Sequence, residues 1–432
     1  MFAWYKELST GERRTFWSCF GGWALDAMDV QLFSFLVPAL ALALNIGTDQ
    51  SSVIGTSALI SSSVGGWIAG SLADRYGRVR VLQGAIIWYS VFTGLSGFAQ
   101  SYDQLLILRT LQGLGFGGEW AAGAVLMGEI IRPQHRGKAV GCVQSAFAVG
   151  WFAAAAVSTA VLATLPPDIA WRTVFFIGLL PALLVIYIRR NVTEPPLFAR
   201  TLEAEAASGN RPTPFEIFAP NMIRRTLLAA MLALGVQGSS YAIIFWLPTY
   251  LRTVRHLSVT GAGSYVMVST AGAFCGYLVS AYLTDAVGRR RNFMIYAVGC
   301  WCIDFAYMLL PFGNGAILFL GFFLGFFSQG IYASLGPYFT ELFPTRIRAT
   351  GQSFAYNVGR SIGSFFVVIV TVLTARFGLG LGQAIGTLAL GGYSLALIAI
   401  FFLPETQGIA LEDAGPTGTR QHTTHPEPGT TA

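Results

Sequence analysis

Long apolar runs separated by short polar segments recur along the whole chain. Each run is long enough to cross the roughly 30 Å hydrocarbon core of a bilayer as a helix. Twelve runs can be counted, at residues 16–44, 52–73, 81–99, 104–130, 139–163, 170–188, 226–250, 261–283, 293–311, 315–338, 350–374 and 380–403. The pattern therefore predicts an all-α integral membrane protein with twelve transmembrane helices.

The polar segments suggest how these helices are grouped. The longest one, residues 189–225, contains four prolines and several charges, and it predicts a cytoplasmic linker between two six-helix halves. The halves would cover residues 1–188 and 226–403. Residues 404–432 are rich in Gly, Pro, Thr and His and predict a disordered cytoplasmic tail. The first run follows a basic segment but is too long for a signal peptide and lacks a clear cleavage site, so we interpret it as a span.

Composition agrees with a membrane protein. Residues of the AVILMFWYC set make up 54% of the 432 residues and charged residues only 11%, whereas a soluble protein is about 25% charged. Secreted, fibrous, disordered and nucleic-acid-binding proteins are thereby excluded. The spacing of the five cysteines matches no disulfide or metal framework, and we interpret all five as small buried apolar residues: Cys19, Cys142, Cys275, Cys300 and Cys302.

The net charge of +6 reflects topology. With the N-terminus inside, 21 of the 27 Lys and Arg residues fall in cytoplasmic segments and four in external loops, while Arg109 and Arg360 lie within spans. This distribution follows the positive-inside rule. It predicts a multi-pass protein of the cell inner (plasma) membrane with both termini in the cytoplasm.

The two halves repeat. The segment GGWIAGSLADRYGR at 65–78 resembles GYLVSAYLTDAVGR at 276–289, an offset of 211. Glu129 and Arg136 correspond to Glu341 and Arg348 at an offset of 212. Because both copies lie on the cytoplasmic side, the repeats should be parallel and related by an axis along the membrane normal.

The repeated loops support a family resemblance. The D-R-x-G-R-x-R loop at 74–80 and its D-x-x-G-R-R-R copy at 285–291 resemble the signature of the major facilitator superfamily. The 109–115 segment RTLQGLG and the 404–408 segment PETQG look like the sugar-porter branch. LDAMD at 25–29 and GGEW at 117–120 resemble bacterial organic-acid:proton symporters of the sialate/lactate, aromatic-acid and niacin types.

The resemblance implies a 6+6 pseudo-twofold fold and alternating access around one central site. It also implies secondary active transport, with proton-coupled uptake of a small organic anion such as a mono- or aromatic carboxylate. We expect a monomer in the lipid bilayer, with no enzymatic step, no cofactor and no nucleic-acid partner. A sugar or drug transporter of the same fold, a facilitator without proton coupling and a non-transporting membrane sensor are the alternatives.

Two carboxylates lie deep within the first span. Asp26 and Asp29 are three residues apart and share a helix face, where a charge is costly unless it is paired or protonated. Arg109, in the fourth span, should reach the height of Asp29. In the resembling families such an Asp and Arg are linked to proton coupling, which we expect of these positions. Purely structural pairing, or direct binding of a substrate carboxylate by Arg109, are the alternatives.

Three further charges lie within spans. Glu119 is on the inner half of the fourth span and should contact substrate, proton or cytoplasmic-side charges. Arg360 suits an anionic substrate, unless it pairs with Asp304 or with carbonyl groups. Polar and aromatic residues of several spans are further candidates for the cavity wall, although each alone is more often a helix-packing residue. They are Gln31, Gln144, Gln237, Tyr241, Trp246, Gln329, Tyr332, Tyr356 and Asn357.

Charges at the cytoplasmic helix ends predict a gate. A carboxylate and an arginine there can clamp neighbouring helices and cap a helix terminus. The expected gating residues are Asp74, Arg78, Glu129, Arg136, Asp285, Arg289, Glu341 and Arg348. Matches to dinucleotide-binding and nucleophile motifs fall inside spans, and no P-loop occurs, so neither nucleotide binding nor hydrolysis is predicted. The four histidines lie in loops or the tail, and no metal site is predicted.

Overall fold

A computed structural model describes residues 3–208, 213–257, 259–409 and 411. All regular elements in these ranges are helical. The α-helices are α1 Ala3–Glu7, α2 Thr10–Ala43, α3 Thr48–Tyr76, α4 Arg78–Ser96, α5 Tyr102–Ile130, α6 Arg136–Gln144, α7 Ala146–Thr164, α8 Pro167–Ile177, α9 Pro181–Asn191, α10 Pro196–Ser208, α11 Ile223–Thr253, α12 Val259–Val287, α13 Arg289–Leu309, α14 Asn314–Gly330, α15 Leu335–Leu342, α16 Arg348–Phe377 and α17 Leu381–Phe402. Short 3-10 turns occupy Pro133–His135, Pro214–Phe218, Ile331–Ser334 and Thr345–Ile347.

These helices form twelve long rods, each matching one predicted span. Three rods are built from two consecutive helices: α6 with α7, α8 with α9, and α14 with α15. Nine rods within the described ranges are long and apolar enough to cross a membrane by composition alone. The other three are α2, α4 and α5, each of which contains a buried charge, such as Asp26, Arg78 and Arg109. We call α2–α9 the N-terminal helices and α11–α17 the C-terminal helices.

Large apolar side chains cover the outside of the bundle. Phe152, Met267, Phe319 and Phe401 are 65–76% exposed, and many other aliphatic and aromatic side chains are exposed with them. A soluble monomer rarely exposes apolar patches on this scale, because water penalises them. The outer surface is therefore suited to lipid, as the apolar runs predict.

Glycines allow the closest helix contacts. A Cβ atom at Gly117 of α5 would lie 1.6 Å from the main-chain oxygen of Ser62 in α3. In the C-terminal helices a Cβ at Gly325 of α14 would lie 1.8 Å from the oxygen of Ser269 in α12. These contacts are possible only where the residue has no side chain, so Gly117 and Gly325 serve helix packing.

The sixth rod breaks beside the centre of the bundle. Helix α8 ends at Ile177 and α9 begins at Pro181, whose missing N–H suits the first turn of a helix. At Gly178, in the break, a Cβ would lie 3.4 Å from Asp29 Oδ1. The break thus brings main chain close to a buried carboxylate of α2.

The predicted linker, residues 189–225, includes helix α10 and the Pro214–Phe218 turn, and its residues 209–212 lie outside the described ranges. Two sequence expectations need correction. The predicted tail is packed at 404–409 and 411, where Thr406 Oγ1 donates to Glu341, while 412–432 are not described. Cys275 and Cys302 are exposed, so the interpretation of all five cysteines as buried is wrong for these two. Both lie on apolar rods, where lipid can surround a thiol.

Candidate functional site

The centre of the N-terminal helices contains the two carboxylates of α2. Asp26 and Asp29 are both fully buried. Asp29 Oδ2 accepts a hydrogen bond from Gln112 Nε2 at 2.5 Å and lies 3.9 Å from Arg109 Nη1. Neither oxygen of Asp26 has a hydrogen-bond partner among the described residues. The expected pairing of Arg109 with Asp29 is therefore present, as a long contact, while Asp26 is left without a partner.

Aromatic rings hold the buried guanidinium of Arg109. Its Cζ lies 5.1 Å from the ring centroid of Phe33 and 5.9 Å from that of Phe175. Such cation–π contacts stabilise a desolvated guanidinium without hydrogen bonds. The Nε and Nη1 atoms of Arg109 have no hydrogen-bond partner in the described part of the chain. Its donors are thus available for a carboxylate.

Arg360 of α16 has a similar environment on the other side of the centre. Its Nη1 donates to Ser62 Oγ at 3.5 Å, and its Cζ lies 4.9 Å from the Phe116 ring and 5.0 Å from the Tyr356 ring. It forms no ion pair with a carboxylate of the described residues. The alternative of pairing with Asp304 is not realised, because both oxygens of Asp304 lack a hydrogen-bond partner in that same set.

A stacked aromatic pair joins the N-terminal and C-terminal helices beside Arg360. The rings of Trp120 and Tyr356 are 3.6 Å apart between centroids, with an interplanar angle of 20°. Trp120 Nε1 donates to Gln144 Oε1 at 3.1 Å. Two large aromatic rings in contact bury much apolar area. The pair fills space between the two sets of helices at the central site.

The remaining predicted cavity residues fall into two groups. Gln237 and Trp246 donate to the main-chain oxygens of Tyr356 and Val367, so both side chains tie α11 to α16. Asn357 donates to the Ser353 oxygen and packs against Gly66 of α3.

The second group keeps polar atoms near the centre. Tyr241 donates to Gln237 Oε1 at 3.5 Å, and Gln329 accepts from Tyr277 at 3.1 Å while its Nε2 has no partner among the described residues. Tyr332 is buried and Gln31 is half-buried.

Ion pairs join the N-terminal and C-terminal helices at one end of the bundle. We call it the basic end, because the basic loops after α3, α5, α12 and α15 lie there. Glu129 of α5 contacts Arg78 Nε at 3.0 Å and Arg348 Nη1 at 2.6 Å. The corresponding Glu341 contacts Arg136 at 3.0 Å and Arg289 at 2.8 Å. Each carboxylate thus binds one arginine of its own helices and one of the other set.

Two aspartates reinforce this end by binding helix N-termini across the same boundary. Asp74 accepts from the main-chain N–H groups of Ala349 and Thr350, at the start of α16. Asp285 accepts from those of Gly137 and Lys138, at the start of α6. The free N–H groups of a helix start favour a carboxylate. All eight predicted gating residues are therefore brought together.

Sequence reasoning missed several residues of these sites. Glu194 accepts from the N–H groups that begin α4, and Glu405 from those that begin α13. Their separation of 211 equals that of the repeated loops and was a usable signal. Gln112 also had one, since it lies three residues after Arg109 on the same helix. Trp120 ends the GGEW segment of the family resemblance, but its stacking on Tyr356 depends on how separate helices are rotated. Within the described residues no cluster of three or more His, Cys, Asp or Glu could hold a metal ion.

A bundle of membrane-length helices that buries carboxylates and guanidinium groups at its centre is the architecture of a membrane transporter. The chain belongs to the Major Facilitator Superfamily, whose sequence pattern it matches over residues 19–368. Because this family and its relatives are transporters, the protein is a multi-pass membrane transporter rather than an enzyme.

Curated relatives extend over almost the whole chain. A probable 4-methylmuconolactone transporter of Cupriavidus pinatubonensis is 48% identical over 96% of both chains. The niacin transporter NiaP of Acinetobacter baylyi is 29% identical, covering 91% of this chain and 94% of that protein. Among solved structures, the proton:xylose symporter XylE superposes with a TM-score of 0.77 over 93% of this chain and 98% of its own, at 18% identity. That likeness confirms the fold.

Proposed function

We propose that this transporter couples the uptake of a small organic anion, such as a mono- or aromatic carboxylate, to the uptake of protons. The observation that carries the proposal is Arg360, a buried guanidinium without a carboxylate partner in the described residues, beside the Trp120–Tyr356 stack. Its partners are the hydroxyl groups of Ser62, Tyr241 and Tyr356 and the faces of two aromatic rings, and none of them carries a charge. A buried cation is costly, and a substrate carboxylate would offset that cost with bidentate hydrogen bonds. The aromatic rings would pack on a flat, conjugated or aromatic body.

The proton would act on the other buried charges. Asp29 and Arg109 are 3.9 Å apart, a longer separation than a direct charge-assisted hydrogen bond requires. Protonation of Asp29 would remove the attraction and release Arg109. Substrate binding and proton binding would then favour the same conformations, which is the requirement for coupling.

The gate would operate at the basic end. By the positive-inside rule this end faces the cytoplasm, and both termini lie there. The two halves of the predicted 6+6 arrangement, joined by Glu129, Glu341, Asp74 and Asp285, would then be closed on the inside and able to receive substrate from outside. Rocking of the halves would break these contacts and release substrate and proton. We propose that a monomer in the bacterial inner membrane performs this cycle.

The named relatives support an organic acid. Besides the two already described, a cis,cis-muconate transport protein of Acinetobacter baylyi is 26% identical over 389 residues. These proteins are named for small organic acids or their lactones. An Arg360 that lacks a carboxylate partner fits the same chemical class.

Binding and uptake are tested separately. Purified protein is screened by thermal shift with nicotinate, cis,cis-muconate and 4-methylmuconolactone, with nicotinamide and xylose as neutral controls. An acid that binds raises the melting temperature according to its affinity. Labelled acids are then offered to vesicles with and without an inward proton gradient. Stabilisation by an acid and gradient-dependent accumulation support the proposal. Stabilisation by xylose alone would favour a sugar transporter, and uptake that ignores the gradient would remove proton coupling.

A further inference from the structure

Glu119 lies against α2 rather than toward the stacked rings. A Cβ atom built at Gly22 would be 2.5 Å from Glu119 Oε1, so this carboxyl occupies the space that a side chain at 22 would fill. Glu119 is 2% exposed, and its Oε2 has no hydrogen-bond partner among the described residues. Because Gly22 has no side chain, the Glu119 carboxyl of α5 can reach the surface of α2.

The side chain of Asp26 is directed toward the same part of α2, at Gly22. Side chains on a helix point toward its N-terminus, so a residue covers the turn formed by the residue four positions before it. For Asp26 that position is Gly22, and the Cβ atoms of such a pair are about 5–6 Å apart. The Asp26 carboxyl and the Glu119 carboxyl consequently approach each other over a glycine, in a fully buried region where neither forms an ion pair with a described residue.

A hydroxyl faces the same group. Tyr89 of α4 is fully buried, its hydroxyl has no hydrogen-bond partner in the described part of the chain, and it lies within electrostatic range of Asp26, Asp29 and Glu119. A phenol can donate one hydrogen bond and accept others. The other charged or titratable groups that face this cluster are Arg109 of α5, Arg360 and Tyr356 of α16, and Cys19 of α2.

We propose that Glu119 and Tyr89 extend Asp26 and Asp29 into a proton path, in which Asp26 and Glu119 share one proton across Gly22. Two adjacent carboxylates cannot both be charged cheaply in a water-poor region, so the pair holds a single proton. In the transfer, the O–H bond at Asp26 breaks as an O–H bond at Glu119 forms, and the charge of the pair is unchanged. The Tyr89 hydroxyl can pass a proton between carboxyls by donating its own as it accepts another.

The path has a direction. Helix α2 rises 1.5 Å per residue away from the basic end, so Gly22 lies about 6 Å below Asp26 and Asp29 about 4.5 Å above it. Glu119 is therefore the lowest carboxyl of the three. This inference rests on the proposed proton coupling and assigns Glu119 to the proton rather than to the substrate.

The first experiment needs no substrate. The protonated carboxyl groups of purified protein in nanodiscs are titrated by infrared difference spectroscopy of their C=O stretch. We expect Glu119→Gln to remove one band and to move the pH midpoint of the Asp26 band by about one unit or more, as coupled sites require. Asp26→Asn should do the same to the Glu119 band. If the pH midpoint of the remaining carboxyl band is unchanged in both variants, the two groups do not share a proton.

Gly22→Ala provides a test that keeps every carboxyl. The added methyl group meets the far end of a flexible side chain, so it displaces the Glu119 carboxyl at little cost in folding. Gly21→Ala is the matched control, because its Cβ would lie 3.7 Å from Leu184, an ordinary contact. We expect Gly22→Ala, and not Gly21→Ala, to move the Asp26 midpoint. Equal behaviour of the two variants would contradict the geometry.

The second experiment separates the proton from the substrate. In vesicles with nicotinate or cis,cis-muconate as the probe, Glu119→Gln and Tyr89→Phe should lose accumulation driven by a proton gradient and keep exchange of labelled for unlabelled acid. Full accumulation in both variants would overturn the path. Loss of probe-induced thermal stabilisation in Glu119→Gln would make Glu119 a substrate ligand, which also overturns it. If wild-type protein moves neither probe, the proposed function is at fault, and the infrared titration still decides the pair.

Discussion

Buried charges in this protein occur in two kinds of environment. At the basic end each buried arginine has a carboxylate partner, as in the contact of Arg348 with Glu129 at 2.6 Å. At the centre, Arg109 and Arg360 lie on aromatic rings. Two nitrogens of Arg109 have no hydrogen-bond partner among the described residues, and Arg360 is bonded to hydroxyl groups rather than to a carboxylate. A fully paired guanidinium has nothing left to bind, whereas one held by ring faces can accept a ligand. The protein thus uses arginine both to hold helices together at the basic end and to offer a binding group for an anion at the centre.

The first prediction concerns Asp29. Asp29→Asn should abolish accumulation driven by a proton gradient, because an amide cannot take up the proton that releases Arg109. Exchange of labelled acid should survive, since the side-chain shape is kept. Both are measured in proteoliposomes. Asp304→Asn is the matched control, as it neutralises another buried aspartate away from Arg109, and it should leave coupling unchanged. Concentrative uptake by Asp29→Asn would rule out this role.

The second prediction concerns Arg360. Arg360→Lys keeps the charge but loses the planar fork, so binding of carboxylates should weaken by about 1.5–3 kcal/mol, roughly 10- to 150-fold. The measurement is isothermal titration with the acid selected by the thermal-shift screen. Arg172→Lys is a control at the periphery, where Arg172 donates to the Gly97 oxygen. An unchanged dissociation constant in Arg360→Lys would exclude Arg360 as the anion ligand.

Sequence alone predicted part of this residue-level picture. The Arg109–Asp29 contact follows from the heights of the two residues in their spans, which rise per residue fixes. The Trp120–Tyr356 stack and the approach of Glu119 to Gly22 do not follow, because they depend on the rotation of one rod against another. The sequence also left open whether Arg360 pairs with Asp304, and the structure shows that it does not.

Among the elements, glycine positions decide which rods can touch. The third prediction compares two glycines of α5. Gly117→Ala places a methyl group against the main-chain oxygen of Ser62, which has no room to move, and should destabilise the protein by about 1–3 kcal/mol. Gly123→Ala meets only ordinary contacts, 3.7 Å from Glu119 Oε1. Thermal unfolding monitored by size-exclusion chromatography should show a clear loss for the first variant alone. Equal stability would contradict the close approach of α3 and α5.

The fourth prediction concerns the carboxylate that binds the start of α16. Asp74→Asn weakens hydrogen bonds to a charged group, worth about 1.5–3 kcal/mol, so the basic end should open roughly tenfold more often. A cysteine placed at the buried Ser353, in a background without the five native cysteines, reports opening through its labelling rate with an impermeant maleimide.

Glu194→Gln is the matched variant for that test. Glu194 also binds main-chain N–H groups, those of Arg78, Val79 and Arg80, but these belong to the N-terminal helices. The Glu194→Gln variant should therefore lower the stability of the protein without raising the labelling rate of the cysteine at position 353. If Asp74→Asn labels no faster than its parent, Asp74 does not hold the basic end closed.

For the whole molecule, the fifth prediction tests whether the basic end must open during transport. A Cβ at Gly336 of α15 would lie 3.8 Å from the Cβ of Ala124 in α5, the mean separation in a disulfide, and 2.6 Å from Val140 Cγ1, so the Val140 side chain must shift to admit it. Cysteines at both positions, in the cysteine-free background, should form a bond that stops uptake. A reductant should restore it. Each single-cysteine variant should transport under both conditions. Undiminished uptake with the bond fully formed would refute alternating access at this end.

The overall architecture was the most predictable level. Twelve apolar runs gave twelve rods, because membrane thickness sets a length that a sequence must satisfy. The breaks at Ser145 and Gly178–Leu180 and the packed segment 404–409 were not foreseen. These features arise from contacts between distant parts of the chain, which apolar periodicity does not record.

The way in which Asp74 and Asp285 bind has a consequence for how the protein can diverge. Each aspartate contacts main-chain N–H groups of the opposite helices. Every amino acid except proline supplies such a group, so the main-chain hydrogen bonds alone leave the side chain of Lys138 free to change. The other receiving positions are constrained further, because Thr350 also donates its Oγ1 to Asp74, a Cβ at Gly137 would lie 2.3 Å from Asp285 Oδ1, and Ala349 is fully buried. The aspartates and the positions that they bind should therefore differ in how many substitutions they tolerate. The two aspartates should tolerate no substitution, whereas Lys138 should tolerate any residue except proline.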